Sequence, residues 1–250
     1  CSLDAQSPEK AESAVYYSFS YMGDTLNPHR LYEENMVLYF NKNASCFLSY
    51  DKIKQDQKNR SNPEAALSGY STNQIPKRTI QSVMYRFENE KKFIINENEL
   101  KAYIMEDNVT IKWTILDSVK IIEGLECQKA TGQFRGRSYY AWFTSSIPSS
   151  YGPWKLGGLP GLIIEATDAK NHVNFRFSGT ENLKNNPFII EVPKNAIQIT
   201  KKDFQKIKDA IANDPIAYLN NTMGVQLQPL NGATARPVRK SNNPIELTEN

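Results

Sequence analysis

Residues 124–168 read GLECQKATGQFRGRSYYAWFTSSIPSSYGPWKLGGLPGLIIEATD, and this stretch is the centre around which the rest of the chain is organised. It holds two of the three tryptophans, Trp142 and Trp154, and seven of the twelve glycines. Aromatic side chains bury large areas with specific geometry, and glycines reach backbone conformations that strain other residues. The stretch therefore predicts a tightly specified shape, but by itself it indicates no chemistry.

The first half of this stretch predicts a strand. Residues 134–143 are rich in aromatic residues, which are common in strands. Because successive side chains of a strand point to opposite faces, Arg135 and Arg137 would share one face with Tyr139, Ala141 and Phe143.

The second half predicts a loop, a tight turn and another strand. Residues 145–154 contain proline and glycine breakers and form the loop. Leu159-Pro160-Gly161-Leu162 fits a type II turn, in which Gly161 has a positive φ. Residues 162–166 follow as a strand that is apolar on both faces, so we expect it to be covered on both sides.

The same residues carry a resemblance to a known family. Gly152-Pro153-Trp154-Lys155 is followed by the motif Gly158, Leu159, Pro160, Gly161, Leu162 and Ile163. This arrangement resembles the signature of the GLPGLI family, envelope proteins of Bacteroidetes-type bacteria for which no general biochemical function is known. The resemblance covers about the middle fifth of the chain, and it implies an exported protein, no catalytic residues to carry over and no cofactor.

Composition bounds the classes of protein to consider. The chain has 250 residues, of which 40% are hydrophobic and 11% aromatic, enough for a substantial core. A net charge of +3, with basic and acidic residues intermixed, does not indicate a nucleic-acid partner. The sequence has no apolar run long enough to predict a transmembrane segment.

The cysteines also point to export. Cys1 is interpreted either as the lipidated first residue of a lipoprotein, and so a lipid anchor, or as part of the tail of a signal peptide. Both interpretations place the protein in the periplasm, at the outer membrane or on the cell surface. In such an oxidising compartment Cys46 and Cys127 are candidates for a disulfide, with two buried free thiols as the alternative.

Short alternating segments along the rest of the chain predict a mostly β (α+β) fold. We expect a single curved antiparallel sheet or half-barrel of many short strands, with a short C-terminal helical pair. The domain spans residues 12–224. Residues 1–11 are expected to be loose, residues 51–78 to form a long polar loop, and residues 225–250 to form a polar tail.

Catalytic and metal-binding motifs are missing from the sequence. It contains no HExxH, paired CxxC, GxSxG or GxxxxGK[ST] pattern, and the histidines are His29 and His172 alone. We therefore predict no catalytic residue, metal or cofactor. Dispersed carboxylates acting as a hydrolase site stay open as an alternative, since such pairs need not be close in sequence.

Arg135 and Arg137 support two interpretations. Two guanidinium groups on one strand face could bind a carboxylate or phosphate. The alternative, which we favour, is internal pairing with Glu165 or Asp168 on a neighbouring strand.

Binding is the function that the sequence favours. Loops on rigid scaffolds often carry binding sites, and Tyr151 and Trp154 lie on such a loop. We predict a cleft lined by Trp142, Tyr151 and Trp154, with the two arginines near its rim, that binds an apolar or peptidic ligand or a protein partner. The alternative is that both tryptophans belong to the core. The two other classes of function that we consider are a hydrolase and a purely structural surface protein.

Overall fold

The computed structural model describes residues 7–61, 79–88, 92–98, 101–224, 226 and 241–248. Strand accounts for 46% of the structure and helix for 17%, which confirms the mostly β prediction. Cys1 and residues 62–78 of the predicted loop lie outside the described residues. The strands are β1 (Glu9–Ala11), β2 (Ser13–Tyr21), β3 (Tyr32–Phe40), β4 (Ala44–Ser49), β5 (Val83–Phe87), β6 (Lys92–Asn98), β7 (Ala102–Asp107), β8 (Trp113–Ile122), β9 (Leu125–Phe134), β10 (Arg137–Thr144), β11 (Leu162–Asp168), β12 (Val173–Asn182), β13 (Phe188–Ile190) and β14 (Ile197–Gln198).

Three short helices accompany these strands in the described part of the chain: α1 (Tyr50–Ser61), α2 (Lys201–Asn213) and α3 (Pro215–Met223). No helix there is long and apolar enough to span a membrane.

Twelve of the strands form one open sheet in the order β14-β7-β6-β5-β4-β3-β2-β12-β11-β10-β9-β8. Neighbouring strands are antiparallel except β14 and β7. The remaining strands, β1 and β13, pair with each other in a small second sheet.

The connection between β7 and β8 shows that the large sheet bends. Nine strands separate β7 from β8 in the sheet, so a flat sheet would set them about 48 Å apart. Residues 108–112 join the two strands, and such a linker reaches at most about 22 Å. The sheet therefore bends between β7 and β8 so that these two strands approach each other, although the sheet remains open.

The buried apolar side chains of the described residues form two large cores and a small third one, in which Phe204 of α2 packs with Ile95, Tyr103 and Met105. The main core contains Tyr17, Leu38 and Phe47 from one half of the sheet, together with Ala141 and Ile163 from the other half. The second core lies on the opposite face of β2–β7, where the small sheet covers it. Burial on both faces of β11 confirms the prediction that this strand is covered on both sides.

The prediction of one strand over residues 134–143 is wrong. Arg135 and Gly136 form a two-residue hairpin turn between β9 and β10, with φ values of 49° and 77°. Two successive positive φ values are typical of a type I′ turn, whose twist matches that of the flanking strands. The two arginines are therefore not residues of one strand.

The type II turn predicted at residues 159–162 is also wrong, because Gly161 does not have a positive φ. Glycine is needed there for a different reason. A Cβ atom at this position would lie 2.2 Å from the carbonyl oxygen of Thr144 at the end of β10. The motif thus lets two backbone segments approach closely where β11 begins.

Part of the predicted loop over residues 51–78 forms a helix instead. The Ser49 hydroxyl accepts a hydrogen bond from the Lys52 amide at 2.9 Å, which satisfies a free donor at the start of α1. Lys52 and Asp56 form an ion pair one turn apart. No residue of α1 is buried, so the sequence lacks the apolar stripe that usually predicts a helix.

The C-terminal helical pair is confirmed. Thr200 caps α2 by accepting from the Asp203 amide, and Pro215 lies in the first turn of α3. Phe204 anchors α2 by packing on Tyr103 of β7, with ring centroids 5.6 Å apart.

The predicted loose ends are partly wrong. Residues 9–11 form β1 and pair with β13, so the N-terminal segment is ordered from Glu9 onward. Residues 241–248, which were predicted to belong to a polar tail, pack against the sheet, and Asn243 is buried. We call residues 241–248 the C-terminal segment.

The predicted disulfide is not present. Cys46 and Cys127 are both free and buried, and they belong to different cores. Burial raises the pKa of both thiols, because the thiolate loses its hydration inside the protein.

We predict that neither thiol is reactive in the folded protein. Iodoacetamide should leave Cys46 and Cys127 unmodified in native buffer and alkylate both in denaturant without a reductant. Peptide mass spectrometry locates the modification. Recovery of the two cysteines in one cross-linked peptide would contradict the structure.

Gly161→Ala should destabilise the fold by about 3 kcal/mol, because the new methyl group overlaps backbone that has no room to move. Gly158→Ala is the matched control. Gly158 has a φ of 90° and no atom near the added Cβ, so only backbone strain of about 1 kcal/mol is expected. Urea unfolding measures both values, and a larger loss at Gly158 would contradict the assignment.

Candidate functional site

A polar groove lies where the end of β7, the turn between β9 and β10 and the start of α2 meet. Its volume is about 510 Å³, within the usual range for ligand sites. The groove is lined by Glu106, Asp107, Asn108, Thr110, Gln133, Phe134, Arg135 and Lys201.

The floor and the rim of the groove differ in burial. Asp107, Phe134 and Arg135 are buried and form the floor. The rim residues Glu106, Asn108, Thr110, Gln133 and Lys201 are exposed. The rim therefore offers carboxylate, amide, hydroxyl and ammonium groups to a ligand over a floor that solvent hardly reaches.

Asp107 is the centre of an ionic network under the groove. Its Oδ1 atom accepts from Arg135 Nη2 at 2.8 Å, and its Oδ2 atom accepts from Lys155 Nζ at 2.7 Å. Lys201 also pairs with Oδ1. Lys155 and Arg135 are 5% and 8% exposed, so both cations are desolvated and depend on this carboxylate.

Glu246 of the C-terminal segment completes the network. Its carboxylate pairs with Lys155 and lies 4.0 Å from Arg135 Nε. The three cations thus share two carboxylates that are far apart along the chain.

The surroundings hold Asp107 in its charged form. Burial by itself raises the pKa of Asp107, but the ammonium groups of Lys155 and Lys201 outweigh burial, and the net pKa lies below its ordinary range. An acid with a lowered pKa is ionised at neutral pH and does not donate a proton there. Asp107 is therefore suited to holding cations rather than to acid catalysis.

Local backbone geometry positions the buried cations. Arg135 occupies the first position of the type I′ turn, which aims it back toward β7. Lys155 follows Trp154, whose φ is 56°, in the loop of residues 145–161. The Trp154 ring packs edge-on against Phe134 with centroids 5.6 Å apart, so the loop and the hairpin are fixed to each other.

The structure separates the two arginines. Arg135 lies in the groove, whereas Arg137 pairs with Asp168 at 2.7 Å, with both side chains buried. The preferred interpretation of internal pairing with Asp168 is thus correct for Arg137. Glu165 pairs with Lys120 instead.

The structure does not form the predicted cleft lined by Trp142, Tyr151 and Trp154. Trp142 lies on the opposite face of β10 from the buried Ala141, and Lys120 lies 4.6 Å from its ring centroid. Tyr151 and Trp154 are in the main core, 2% and 6% exposed. The enclosed space that Tyr151 and Trp154 line together with Gly152 and Leu156 has no room for a water molecule.

Sequence reasoning missed most of the groove. Asp107 ends β7 and Asn108 begins the linker to β8, and neither residue was predicted to have a role. Lys155 stood inside the motif but was given no role. The partners of Asp107 lie 28 and 48 residues away along the chain, a separation at which spacing carries no signal.

A metal site is not evident in the described ranges. No group of three or more His, Cys, Asp or Glu side chains there is placed to hold a metal ion.

Comparison with known proteins adds a family and a fold. A family described as "Protein of unknown function (Porph_ging)" matches residues 85–165, which include the groove residues from Glu106 to Arg135 and Lys155. No curated protein matches the chain.

Two solved structures are similar, those of PNGF-II in the P21 and C2 space groups. They have TM-scores of 0.52 and 0.53 and sequence identities of 12% and 13%. The alignments cover 78% and 79% of this chain but 32% of each PNGF-II chain, so the present chain spans about a third of that length. At this identity the similarity shows the fold alone.

Asp107→Asn should destabilise the protein by about 3 kcal/mol near pH 7, because it leaves buried cations without their carboxylate. The folded-state pKa is lowered, so this stabilisation is present above the unfolded pKa, which lies near 3.8, and is lost as the pH falls through the folded pKa. Urea unfolding at about pH 7 and about pH 3 should show the difference between variant and wild type shrinking in acid.

Asp117→Asn, which removes an exposed carboxylate on β8, is the matched control and should change stability little at either pH. If the difference in unfolding free energy between Asp107→Asn and wild type stays constant with pH, the charge of Asp107 is not the cause of that difference.

Proposed function

We propose that this chain is an exported cell-envelope protein that binds a peptidic ligand in the polar groove without converting it chemically. The groove of about 510 Å³, with its buried ionic floor and exposed hydrogen-bonding rim, is the observation that carries the proposal. Export is supported by the resemblance of residues 152–163 to a family of envelope proteins.

The chemistry of the lining favours a peptide over an apolar ligand. Asn108 and Gln133 each present both an amide donor and a carbonyl acceptor, which match the alternating groups of a peptide backbone. Phe134 supplies a small apolar surface on the floor. An apolar ligand would leave the rim groups without the hydrogen bonds they make to water, which costs free energy.

The charges at the groove favour binding over hydrolysis. A glycosidase-type or acid-catalysed site needs a carboxyl group with a raised pKa, whereas the pKa of Asp107 is lowered and both of its oxygens hold cations. Its partners come from rigid parts of the fold, so the floor is organised before a ligand arrives. Such preorganisation lowers the cost of binding.

A library of random octapeptides displayed on phage tests the proposal. We expect wild-type protein to enrich a family of sequences, and synthetic peptides of that family to bind it in isothermal titration calorimetry. Gln133→Ala combined with Lys201→Ala should weaken this binding at least about tenfold, because two exposed rim contacts are removed.

Lys202→Ala is the matched control, since Lys202 is the exposed neighbour of Lys201 on α2 and does not line the groove. It should leave the affinity unchanged. Failure to enrich any sequence, or equal binding by the rim double variant, would refute binding in the groove.

A further inference from the structure

The C-terminal segment lies in a trough beside the groove, and Glu246 joins the two through Lys155 and Arg135. Three parts of the fold form this trough: the residues after β2, the turn between β11 and β12, and the side chains of Arg137 and Lys155. The trough holds residues 241–248 through specific polar contacts, which is what a peptide-recognition site does with its ligand.

Arg137 is one of the residues that hold the C-terminal segment. Its Nε donates to the carbonyl oxygen of Ile245 at 2.9 Å. Its Nη2 donates to Asn243 Oδ1 at 2.7 Å and to the carbonyl oxygen of Pro244 at 2.6 Å. One guanidinium group therefore binds three consecutive residues of the segment. Arg137 as a whole is only 4% exposed.

The sheet itself holds this guanidinium group in place. Arg137 Nη1 donates to Asp168 Oδ2 at 2.7 Å. The other oxygen of Asp168 accepts from the backbone amides of His172 and Val173 at 2.6 and 2.9 Å. Because neither partner belongs to the segment, the binding group stays oriented whether or not a segment is present.

The side chain of Asn243 is bound at both of its ends. Its Oδ1 atom accepts from Arg137, and its Nδ2 atom donates to the carbonyl oxygen of Met22 at 2.5 Å and lies 3.2 Å from His172 Nδ1. An aspartate there would place an oxygen against the Met22 carbonyl oxygen. The trough thus selects asparagine at this position.

The remaining contacts define the next positions. Ile245 packs against the main core, and Glu246 pairs with Lys155. The amides of Leu247 and Thr248 both donate to the carbonyl oxygen of Arg135, at 2.9 and 3.3 Å. These contacts recognise the side chains of an asparagine, an apolar residue and an acidic residue. The backbone is also bound on either side of the acidic residue, at Ile245 and at Leu247.

We propose that the trough is a peptide-recognition site for a segment of another protein with asparagine, proline, an apolar residue and an acidic residue in succession. The chain's own residues 243–246 (Asn-Pro-Ile-Glu) occupy the site in this structure and show the chemistry it accepts. Groups fixed by the sheet recognise backbone carbonyls and two polar side chains, which any segment of this pattern carries.

The tethered segment competes with an external one. A segment joined to the same chain is present at an effective concentration on the order of mM, so wild-type protein should bind a free peptide weakly. Weakening the segment in place should open the trough. Asn243→Ala with Glu246→Ala does this without changing any group of the trough itself.

The probe is a fluorescein-labelled peptide of sequence Ser-Asn-Asn-Pro-Ile-Glu-Leu-Thr, and fluorescence anisotropy measures its Kd. We expect the double variant to bind it with a Kd at least about tenfold lower than the wild type. Replacing the third residue of the peptide, Asn, by Ala should raise this Kd at least about tenfold. The control variant carries Asn182→Ala and Glu191→Ala, both at positions outside the trough. Its Kd for the peptide should equal that of the wild type.

A second preparation keeps the test independent of how well the double variant folds. Residues 231–236 are replaced by a protease recognition sequence, and the wild-type segment is cut free only after folding. We expect a hundredfold excess of labelled peptide to replace the cut segment, with mass spectrometry showing its release.

The proposal is overturned if the peptide binds neither the double variant nor the cut chain, or if a scrambled peptide binds equally well. Gln133→Ala with Lys201→Ala should leave this affinity unchanged, which distinguishes the trough from the groove.

Discussion

The buried carboxylate of Asp107 is the interaction on which the arrangement of the two ends of the sheet depends. It joins the end of β7 to the β9–β10 turn through Arg135 and to the loop of residues 145–161 through Lys155. Desolvating these charges costs several kcal/mol per ion, and good geometry with several partners is needed to offset that cost. The network meets this condition, because each oxygen of Asp107 accepts a short bond from a different buried cation.

The loop of residues 145–161 explains why the polar groove lies at the rim of the sheet and not inside it. Tyr151, Trp154, Leu156 and Leu159 all belong to the main core, between the two halves of the curved sheet. The loop also bonds to itself and to the sheet, for instance where the Trp113 indole donates to the carbonyl oxygen of Gly157 at 2.8 Å. Its side chains fill the interior that an open curved sheet would otherwise leave for an apolar ligand.

Much of the fold follows from the sequence, because periodicity is a local signal. The strand predicted at residues 162–166 and the predicted C-terminal helical pair are both present. Helix α1 was missed because its surface is polar all round, and the turn at Arg135 was missed because aromatic residues continue on both sides of it. In both cases a local contact, the cap at Ser49 or the positive φ of Gly136, decides the structure.

The groove could not be predicted in the same way, because its charged residues meet only after the sheet has curved. Asp107 and Lys155 are 48 residues apart, and Lys155 and Glu246 are 91 apart. Of the predicted binding residues, Arg135 alone lines the groove. A cluster of charged residues from distant parts of the chain leaves no spacing pattern in the sequence. A hairpin or a strand does leave such a pattern, because its residues are close together in the chain.

The type I′ turn also accounts for the different roles of two arginines that are two residues apart. On one continuous strand both guanidinium groups would point the same way and repel each other over a shared ligand. The turn instead aims Arg135 at Asp107 and leaves Arg137 as the first residue of β10, facing Asp168. Each arginine then has its own buried carboxylate, one under the groove and one beside the trough. The glycine in Phe-Arg-Gly-Arg thus lets the chain reverse between the groove and the trough.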